Sequence, residues 1–210
     1  MNKQWKKIFA GVLGVTMALG STVCAFAETE TAENKYEDAF VMESEYVDFF
    51  GISGPGMSSS ATETEMILSD TTGALEASEG HYVGYTHAPD ITFTYEFTSD
   101  KETTGTLILR LASDQGDIEN YGNQALGITI NGEDFPFDQT FTLSGKKFED
   151  YVISDEFPIQ EGDNTLELTV RQSDVFQASF GSFVTFGPLY DCVKIASDAE
   201  LSWEPIKENV

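Results

Sequence analysis

The chain has 210 residues, of which 40% are hydrophobic and 12% aromatic, which suits one globular domain with a sizeable core. Its 36 acidic residues outnumber the 11 lysines and arginines, and the resulting net charge of −25 at pH 7 repels nucleic acid and anionic membrane surfaces. The charge favours metal cations, cationic partners and solubility, although a solvated acidic coat accounts for most of it.

The first 27 residues predict a secretory signal peptide. They begin with the basic segment MNKQWKKIF, continue with the apolar run IFAGVLGVTMALG and end in AFA, a small-x-small cleavage sequence. The apolar run is shorter than the ~20 residues needed to cross a bilayer. A lipid anchor on Cys24 is the disfavoured alternative, because Ser21 and Val23 stand where a lipoprotein signal has leucine and a small residue. We therefore expect a secreted, extracellular protein with no membrane insertion.

Cysteine usage leaves no internal disulfide in the processed chain, since only Cys192 follows the predicted cleavage site. A domain of this length folds without such a bridge. If the fold is cross-linked, the sequence favours a metal ion as the link.

After a polar lead at residues 28–36, residues 37–197 predict an all-β domain. The clearest run, ITFTYEFT from Ile91, puts apolar side chains on one face and threonines with a glutamate on the other. The remaining strand candidates are FVMESEYVDF, HYVGYT, GTLILRLA, ALGITINGE, QTFTLSG, EDYVISDEF, NTLELTVRQ and GPLYDCVKIAS. Turn signals such as Asn131–Gly132 separate them. Nine or ten short strands indicate a jelly-roll-like β-sandwich, and residues 198–210 read as a polar tail.

Two Gly/Ser-rich stretches, residues 51–75 and 172–187, predict long surface loops. The second contains Phe176, Phe180 and Phe183. Because binding residues concentrate on such loops, we expect these two loops to form the functional surface of the domain.

Three carboxylates occupy apolar positions of the predicted strands. Glu43 and Glu45 alternate with the apolar residues of the first strand, and Asp191 shares a face with Leu189 and Val193 in the last. An unpaired buried charge is costly, and two neighbouring carboxylates repel unless a cation lies between them. If the first and last strands are neighbours, the three carboxylates form a hard oxygen site suited to Ca²⁺. The alternative is an exposed sheet edge with the acids in water, and the spacing alone does not decide between them.

Six segments of the sequence, in order along the chain, resemble the calcium-binding β-sandwich carbohydrate-binding modules of families six and thirty-five. They are FVMESEYVDF, ASEGHYVGYTHAPDITFTYEF, LILRLAS, LGITINGE, QEGDNTLELTV and GPLYDCVKI, and they span about residues 38–196. No single segment is specific, but the occurrence of all six in the same order makes the resemblance considerably more specific. It implies that Glu43, Glu45 and Asp191 bind a structural Ca²⁺ that joins the first and last strands and stabilises the fold.

The resemblance also implies a non-catalytic protein that recognises a glycan or polysaccharide by stacking and hydrogen bonding. The chain departs from the family pattern at Leu189, where members often carry asparagine, and its Trp203 falls in the predicted tail. Candidate substitutes offer aromatic faces and amide groups to sugar hydroxyls: Tyr82, Tyr85, Asn120, Tyr121 and Asn123. Core packing is the alternative for each aromatic residue, but glycine and acids flank the last three, so we expect those to be exposed.

Arg110 is one of two arginines and lies in the middle of a predicted strand. Pairing with a glutamate of a neighbouring strand is the favoured interpretation, and a role in reading the carboxylate of an acidic sugar is the alternative.

Two other functions are weighed against glycan binding. A lyase could use His81, Tyr85 and Arg110, and a triad could use His81 or His87, but no motif supports either, and we expect no enzyme. A protein-interaction or adhesion module of the same fold would use the phenylalanine-rich loop. We expect a monomer whose partners are a glycan and, beyond it, a separate secreted enzyme or a surface protein.

Overall fold

The computed structural model describes residues 36–50, 66–86, 89–113, 116–171 and 188–205. The predicted signal peptide, His87 and the three loop phenylalanines lie outside these residues. Within the described ranges there is no helix of the length and apolarity that a membrane span requires.

Fourteen strands and two 3₁₀ turns make up the described part of the chain, which confirms the all-β prediction. The turns are Ser44–Tyr46 and Ser78–Gly80. The strands are β1 (Phe40–Glu43), β2 (Asp48–Phe50), β3 (Ile67–Ser69), β4 (His81–Val83), β5 (Thr92–Ser99), β6 (Thr103–Ala112), β7 (Ile118–Tyr121), β8 (Leu126–Ile130), β9 (Glu133–Asp134), β10 (Phe141–Leu143), β11 (Glu149–Ile159), β12 (Gly162–Val170), β13 (Leu189–Ala196) and β14 (Leu201–Ser202). They outnumber the nine or ten predicted because several contain only two to four residues.

The strands form two six-stranded sheets and one small ribbon. The first sheet has the order β11-β6-β13-β4-β3, with β1 also pairing β13, and the second has the order β14-β5-β12-β8-β9, with β2 also pairing β5. The ribbon pairs β10 with β7. All pairings are antiparallel. A two-residue turn with positive φ at Asn131 and Gly132 joins β8 to β9, as the Asn-Gly signal predicts.

The core lies between the two large sheets and is rich in aromatic side chains. Phe93, Tyr95 and Phe97 of β5 are buried, whereas the intervening Thr94 and Glu96 are not. This alternation is the one that the sequence predicts for ITFTYEFT. The ring centroid of Phe93 lies 4.3 Å from that of Tyr190 on β13, so the two sheets contact each other through aromatic packing.

The predicted first strand is two strands that belong to different sheets. β1 ends at Glu43, the turn Ser44–Tyr46 follows, and β2 continues in the second sheet. The Ser44 hydroxyl and the Tyr95 hydroxyl lie 2.8 Å apart in the core, which fixes this crossing. The single alternating face predicted for this segment is therefore wrong, and Glu45 lies in the turn.

The last strand pairs with the first, as predicted, with Glu43 opposite Cys192. Its alternation is nevertheless interrupted, because the register with β6 shifts between Tyr190 and Cys192. Such a bulge re-aims side chains. Tyr190 and Val193 therefore belong to the main core, while Leu189 packs in a second cluster. Asp191 stands in the bulge, on the side of the sheet that carries Arg110, and the prediction that it shares a face with Val193 is wrong.

The predicted polar tail begins with a strand. β14 pairs with β5, with Leu201 opposite Ser99, and the partly buried Leu201 and Trp203 pack against the main core. The domain therefore extends beyond residue 197, where the sequence places its end.

One end of the sandwich carries several of the predicted ligand residues, and we name it the loop edge. The first sheet contributes the end of β4 and the start of β13, which pair at Val83 and Tyr190. The second sheet contributes the start of β8 and the end of β12, which pair at Leu126 and Val170. The contact between Phe93 and Tyr190 puts these ends of the two sheets on the same side.

Candidate functional site

The carboxyl groups of Glu43, Glu45 and Asp191 are buried close together at the junction of β1, the first turn and the bulge of β13. Their side chains are 7%, 0% and 0% exposed. Burial is the main cause that raises the pKa of Glu43 to about 7 and of Glu45 to about 8, and repulsion among the three charges adds to it. The structure thus brings together all three residues that the sequence proposes as metal ligands.

Both carboxylate oxygens of Asp191 accept hydrogen bonds, one from a guanidinium and one from a backbone N–H. The Arg110 Nε donates to its Oδ2 at 2.6 Å, and the Ser78 backbone N–H donates to its Oδ1 at 2.9 Å. Burial still raises the pKa of Asp191 to about 6, although the Arg110 charge opposes this. The charge that neutralises Asp191 in the structure is therefore that of Arg110.

Three carboxylate oxygens of the cluster accept no hydrogen bond. The Ser78 hydroxyl donates to Oε1 of Glu43 at 2.8 Å, but Oε2 of Glu43 and both oxygens of Glu45 are buried without a donor. Buried carboxylate oxygens normally have partners, and leaving them without one is expensive. A cation would satisfy these atoms.

The segment from Asp70 to Gly80 covers the cluster and is held by its own contacts. The Asp70 carboxylate accepts the backbone N–H groups of Leu75 and Ala77 at 3.1 and 3.3 Å. The N–H of Phe148 donates to the Leu75 carbonyl at 2.9 Å. These contacts hold the segment against the first sheet and so position Ser78 beside the carboxylates.

Arg110 is committed to structural contacts. Besides Asp191, its Nη1 donates to Asp150 at 3.3 Å and its Nη2 donates to the Glu76 carbonyl oxygen at 2.8 Å. Lys194 also pairs with Asp150, at 2.8 Å. The favoured interpretation, pairing across strands, is right in kind, but the partners are aspartates and not a glutamate. With its nitrogens engaged in this way, Arg110 is poorly placed to read an acidic sugar.

No three histidine, cysteine or acidic side chains in the described part of the chain are arranged so that they could hold one metal ion. The oxygens of Asp191 are occupied by Arg110 and Ser78, so the donor-free oxygens belong to Glu43 and Glu45 alone. The chemistry of these buried, mutually repelling carboxylates fits Ca²⁺, and calcium binding stays a prediction.

Tyr82 and Tyr85 have different surroundings. Tyr82 is half-buried and packs edge-on against Phe148, with ring centroids 5.4 Å apart. Tyr85, two residues beyond β4, is 45% exposed and has a φ of 57°. A bulky residue with positive φ is a backbone outlier, and such outliers cluster at functional sites. Next to it, the Thr86 hydroxyl donates to the Pro188 carbonyl at 2.6 Å, which fixes this part of the loop edge.

The asparagines of IENYGNQ are exposed, but the tyrosine between them is not. Asn120 and Asn123 lie on the surface, whereas Tyr121 is 0% exposed and packs 5.3 Å from Phe141 between ring centroids. The expected exposure of Tyr121 is wrong, because strand alternation at the end of β7 turns its ring into the core. Tyr121 therefore offers no surface to a ligand.

Three residues of these sites are not predicted from the sequence. Ser78 and Asp150 complete the hydrogen bonds around Asp191 and Arg110, and neither stands in a recognisable motif. Arg171 lies at the loop edge, where its Nη1 donates to the Asn123 carbonyl at 3.0 Å. An isolated arginine directly after a strand of a strongly acidic chain is the signal that could have drawn attention to it.

In fold, the chain is similar to carbohydrate-binding modules. It superposes on the family 35 module from Paenibacillus barcinonensis with a TM-score of 0.50 and 15% identity, over 76% of this chain and 99% of the module. The native family 35 module from Clostridium thermocellum gives a TM-score of 0.50 and 15% identity, over 75% and 96%. No protein-family model and no curated protein matches the sequence. The resemblance is confirmed at the level of the fold.

Proposed function

We propose that this protein is a secreted, non-catalytic module that binds a glycan at its loop edge, with a structural Ca²⁺ at the buried carboxylates. The observation that carries the proposal is Tyr85, an exposed aromatic ring held in a left-handed backbone conformation at the loop edge of a carbohydrate-binding-module fold.

Tyr85 suits a sugar because its ring offers an apolar face and its hydroxyl offers a hydrogen bond. Large apolar side chains are seldom exposed in the described residues, where Tyr85 and Val152 are the two examples. Asn120 and Asn123 add amide groups that donate and accept. Stacking on the tyrosine with hydrogen bonds from the amides is the proposed mode of recognition.

The calcium ion would be held by the donor-free oxygens of Glu43 and Glu45, beside Asp191, whose own oxygens accept from Arg110 and Ser78. It would stabilise the fold without taking part in chemistry. It would give the donor-free oxygens of the two glutamates a counter-charge and so offset the burial, and the weaker mutual repulsion, that raise their pKa values. Because Glu43 lies opposite Cys192 of β13, next to Asp191, the ion would lie where the first and last parts of the domain meet.

The test of sugar binding compares three forms of the protein on immobilised glycans: the wild type, Tyr85→Ala and Val152→Ala. We expect a set of glycans to retain the wild type and Val152→Ala, and to bind Tyr85→Ala about two- to tenfold more weakly, because stacking contributes about 0.5–1.5 kcal/mol.

Val152 is the matched control because it is also an exposed apolar side chain, but it lies on β11, away from the loop edge. Thermal unfolding of each variant checks that it folds. Equal retention of Tyr85→Ala and the wild type would contradict the assignment of the site, and retention of none of the three by any glycan would contradict the function.

A further inference from the structure

The outer face of the second sheet carries threonines and acids and takes no part in the sites described above. The central side chains of β5 and β12 that point away from the core are Thr94, Glu96, Thr98, Asp163, Thr165 and Glu167. Glu96, Thr98 and Asp163 are exposed, so this part of the face is open to a partner.

Glu96 is the centre of a group of acids on this face. In the register of the two strands, Asp163 and Glu167 of β12 are its diagonal neighbours. On the other side of β5, Asp48 of β2 lies opposite Thr94 and is therefore also diagonal to Glu96. Diagonal neighbours on one face of an antiparallel pair are about 7–8 Å apart. Like charges at this spacing repel one another, and a cationic partner would relieve the repulsion.

The acids of this group have no cation beside them in the described part of the chain. None of the four forms an ion pair with a described lysine or arginine. The guanidinium of Arg171 does reach this face, against Gly127, but Gly127 lies opposite Thr169 at the loop edge, about 20 Å along β12 from Asp163. The first sheet differs, because ion pairs on it join β6 and β13 to an aspartate of β11.

Trp203 adds an aromatic ring to the acidic end of the face. Together with Glu96 and Asp163 it lines a pocket of about 560 Å³. Trp203 is partly buried and packs against the main core, so its side chain is held in place before a partner arrives. The hydroxyl of Ser202 lies 2.7 Å from that of Thr98 and fixes β14 on β5 beside the pocket. A tryptophan ring next to carboxylates attracts ammonium and guanidinium groups.

We propose that the outer face of the second sheet docks a basic, extended segment of a partner protein, with a lysine or arginine side chain in the pocket at Trp203. Every second side chain of an extended segment points the same way, at a repeat of about 6.6–6.8 Å. This repeat is close to the diagonal spacing of the acids, so alternate basic residues would face successive carboxylates. Tryptophan is enriched among the residues that dominate binding energy at interfaces, and the acids would orient the partner.

This docking does not depend on glycan binding, because it uses the sheet face and not the loop edge. The net charge of −25 disfavours a second copy of the chain as the partner and favours a basic one.

The test measures the affinity of three probes by isothermal titration calorimetry. Two are peptides matched to the eight residues of β5, one alternating lysine with threonine and the other alternating glutamate with threonine. The third is xylotetraose. The protein forms are the wild type, Glu96→Gln/Asp163→Gln and the control Glu149→Gln/Glu156→Gln, which removes the same charge from exposed positions of β11 in the first sheet. Thermal unfolding checks that each form folds.

Tryptophan fluorescence locates the bound peptide. The chain has two tryptophans, Trp5 and Trp203, so Trp5→Phe leaves Trp203 as the only one. All forms of the protein in this test carry Trp5→Phe.

We expect the basic peptide to bind, the acidic peptide not to bind, and the Trp203 emission to change with the same Kd as the heat. Glu96→Gln/Asp163→Gln should bind the basic peptide about two- to tenfold more weakly, and the control variant should match the wild type. Salt at ~1 M, where the Debye length falls to about 3 Å, should weaken the binding.

No binding of the basic peptide by the folded wild type would overturn this inference. Equal weakening in both double variants would show a general charge effect and would also overturn it, as would heat of binding without a change in the Trp203 emission. Xylotetraose that changes the emission at a lower concentration than the basic peptide would make the face a sugar surface instead. The comparison on immobilised glycans decides the proposed function separately.

Discussion

Asp191 and Glu45 are both fully buried, but only Asp191 receives hydrogen bonds from a guanidinium and a backbone N–H. The two oxygens of Glu45 and one oxygen of Glu43 have no donor, and the pKa values of these glutamates are raised to about 8 and about 7. At the scale of single residues, therefore, the fold supplies donors to both oxygens of Asp191 and leaves three oxygens of the two glutamates without a donor.

Glu45→Gln tests this division. We expect calcium chloride to raise the melting temperature of the wild type, since a ligand present at about 100 times its Kd stabilises the folded state by about 2.7 kcal/mol. In chelator at pH 7 the variant should melt above the wild type, because the amide avoids the cost of burying or protonating a carboxylate whose pKa is raised to about 8, and added calcium should stabilise it much less. Glu96→Gln, at an exposed position, is the control. A variant with the full calcium response would contradict the role of Glu45.

Arg110→Gln tests the compensation of Asp191. Removing the cation leaves a buried carboxylate without its counter-charge, and we expect the free energy of unfolding to fall by about 3 kcal/mol. Urea unfolding measures the change. Lys101→Gln breaks the exposed pair with Asp198 and should leave the unfolding midpoint where it is. Indistinguishable midpoints for Arg110→Gln and the wild type would show that Asp191 is neutral or is solvated in another way.

At the scale of secondary-structure elements, period-two patterns predict the long strands well, because one face of each is buried. Thr92–Ser99 and Gly162–Val170 follow this rule. The patterns fail where tertiary contacts interrupt a strand, as at the crossing between the sheets after Glu43 and the bulge at Asp191. They also fail for the short β14, whose two residues are too few to show a period and whose place depends on the edge of β5.

A truncation tests β14. Ending the chain after Asp198 removes Leu201 and Trp203 from the core edge and leaves part of the edge of β5 unpaired. We expect a loss of about 2 kcal/mol in urea unfolding, because two partly buried side chains together give about the burial energy of one large one. Ending the chain after Pro205 is the control and should be near neutral. Equal stability of the two truncated forms would mean that residues 199–205 add little to the fold.

At the scale of the whole molecule, two groups of residues suggest two different roles. The buried carboxylates lie where β1 meets β13, and the exposed Tyr85, Asn123 and Arg171 lie at the loop edge. The sequence predicts the first group because misplaced charges stand out in apolar strands. It predicts the second only in part, since Tyr121 is buried and the neighbours of Arg171 depend on which loops the fold brings together.

The most direct test of the central claim is a glycan-array screen of the purified protein in calcium and again in chelator, with thermal unfolding recorded in both conditions. We predict binding to a defined class of glycans in calcium, reduced in chelator together with the melting temperature. Absence of any glycan hit in either condition, from a protein that is folded in both, would contradict the account.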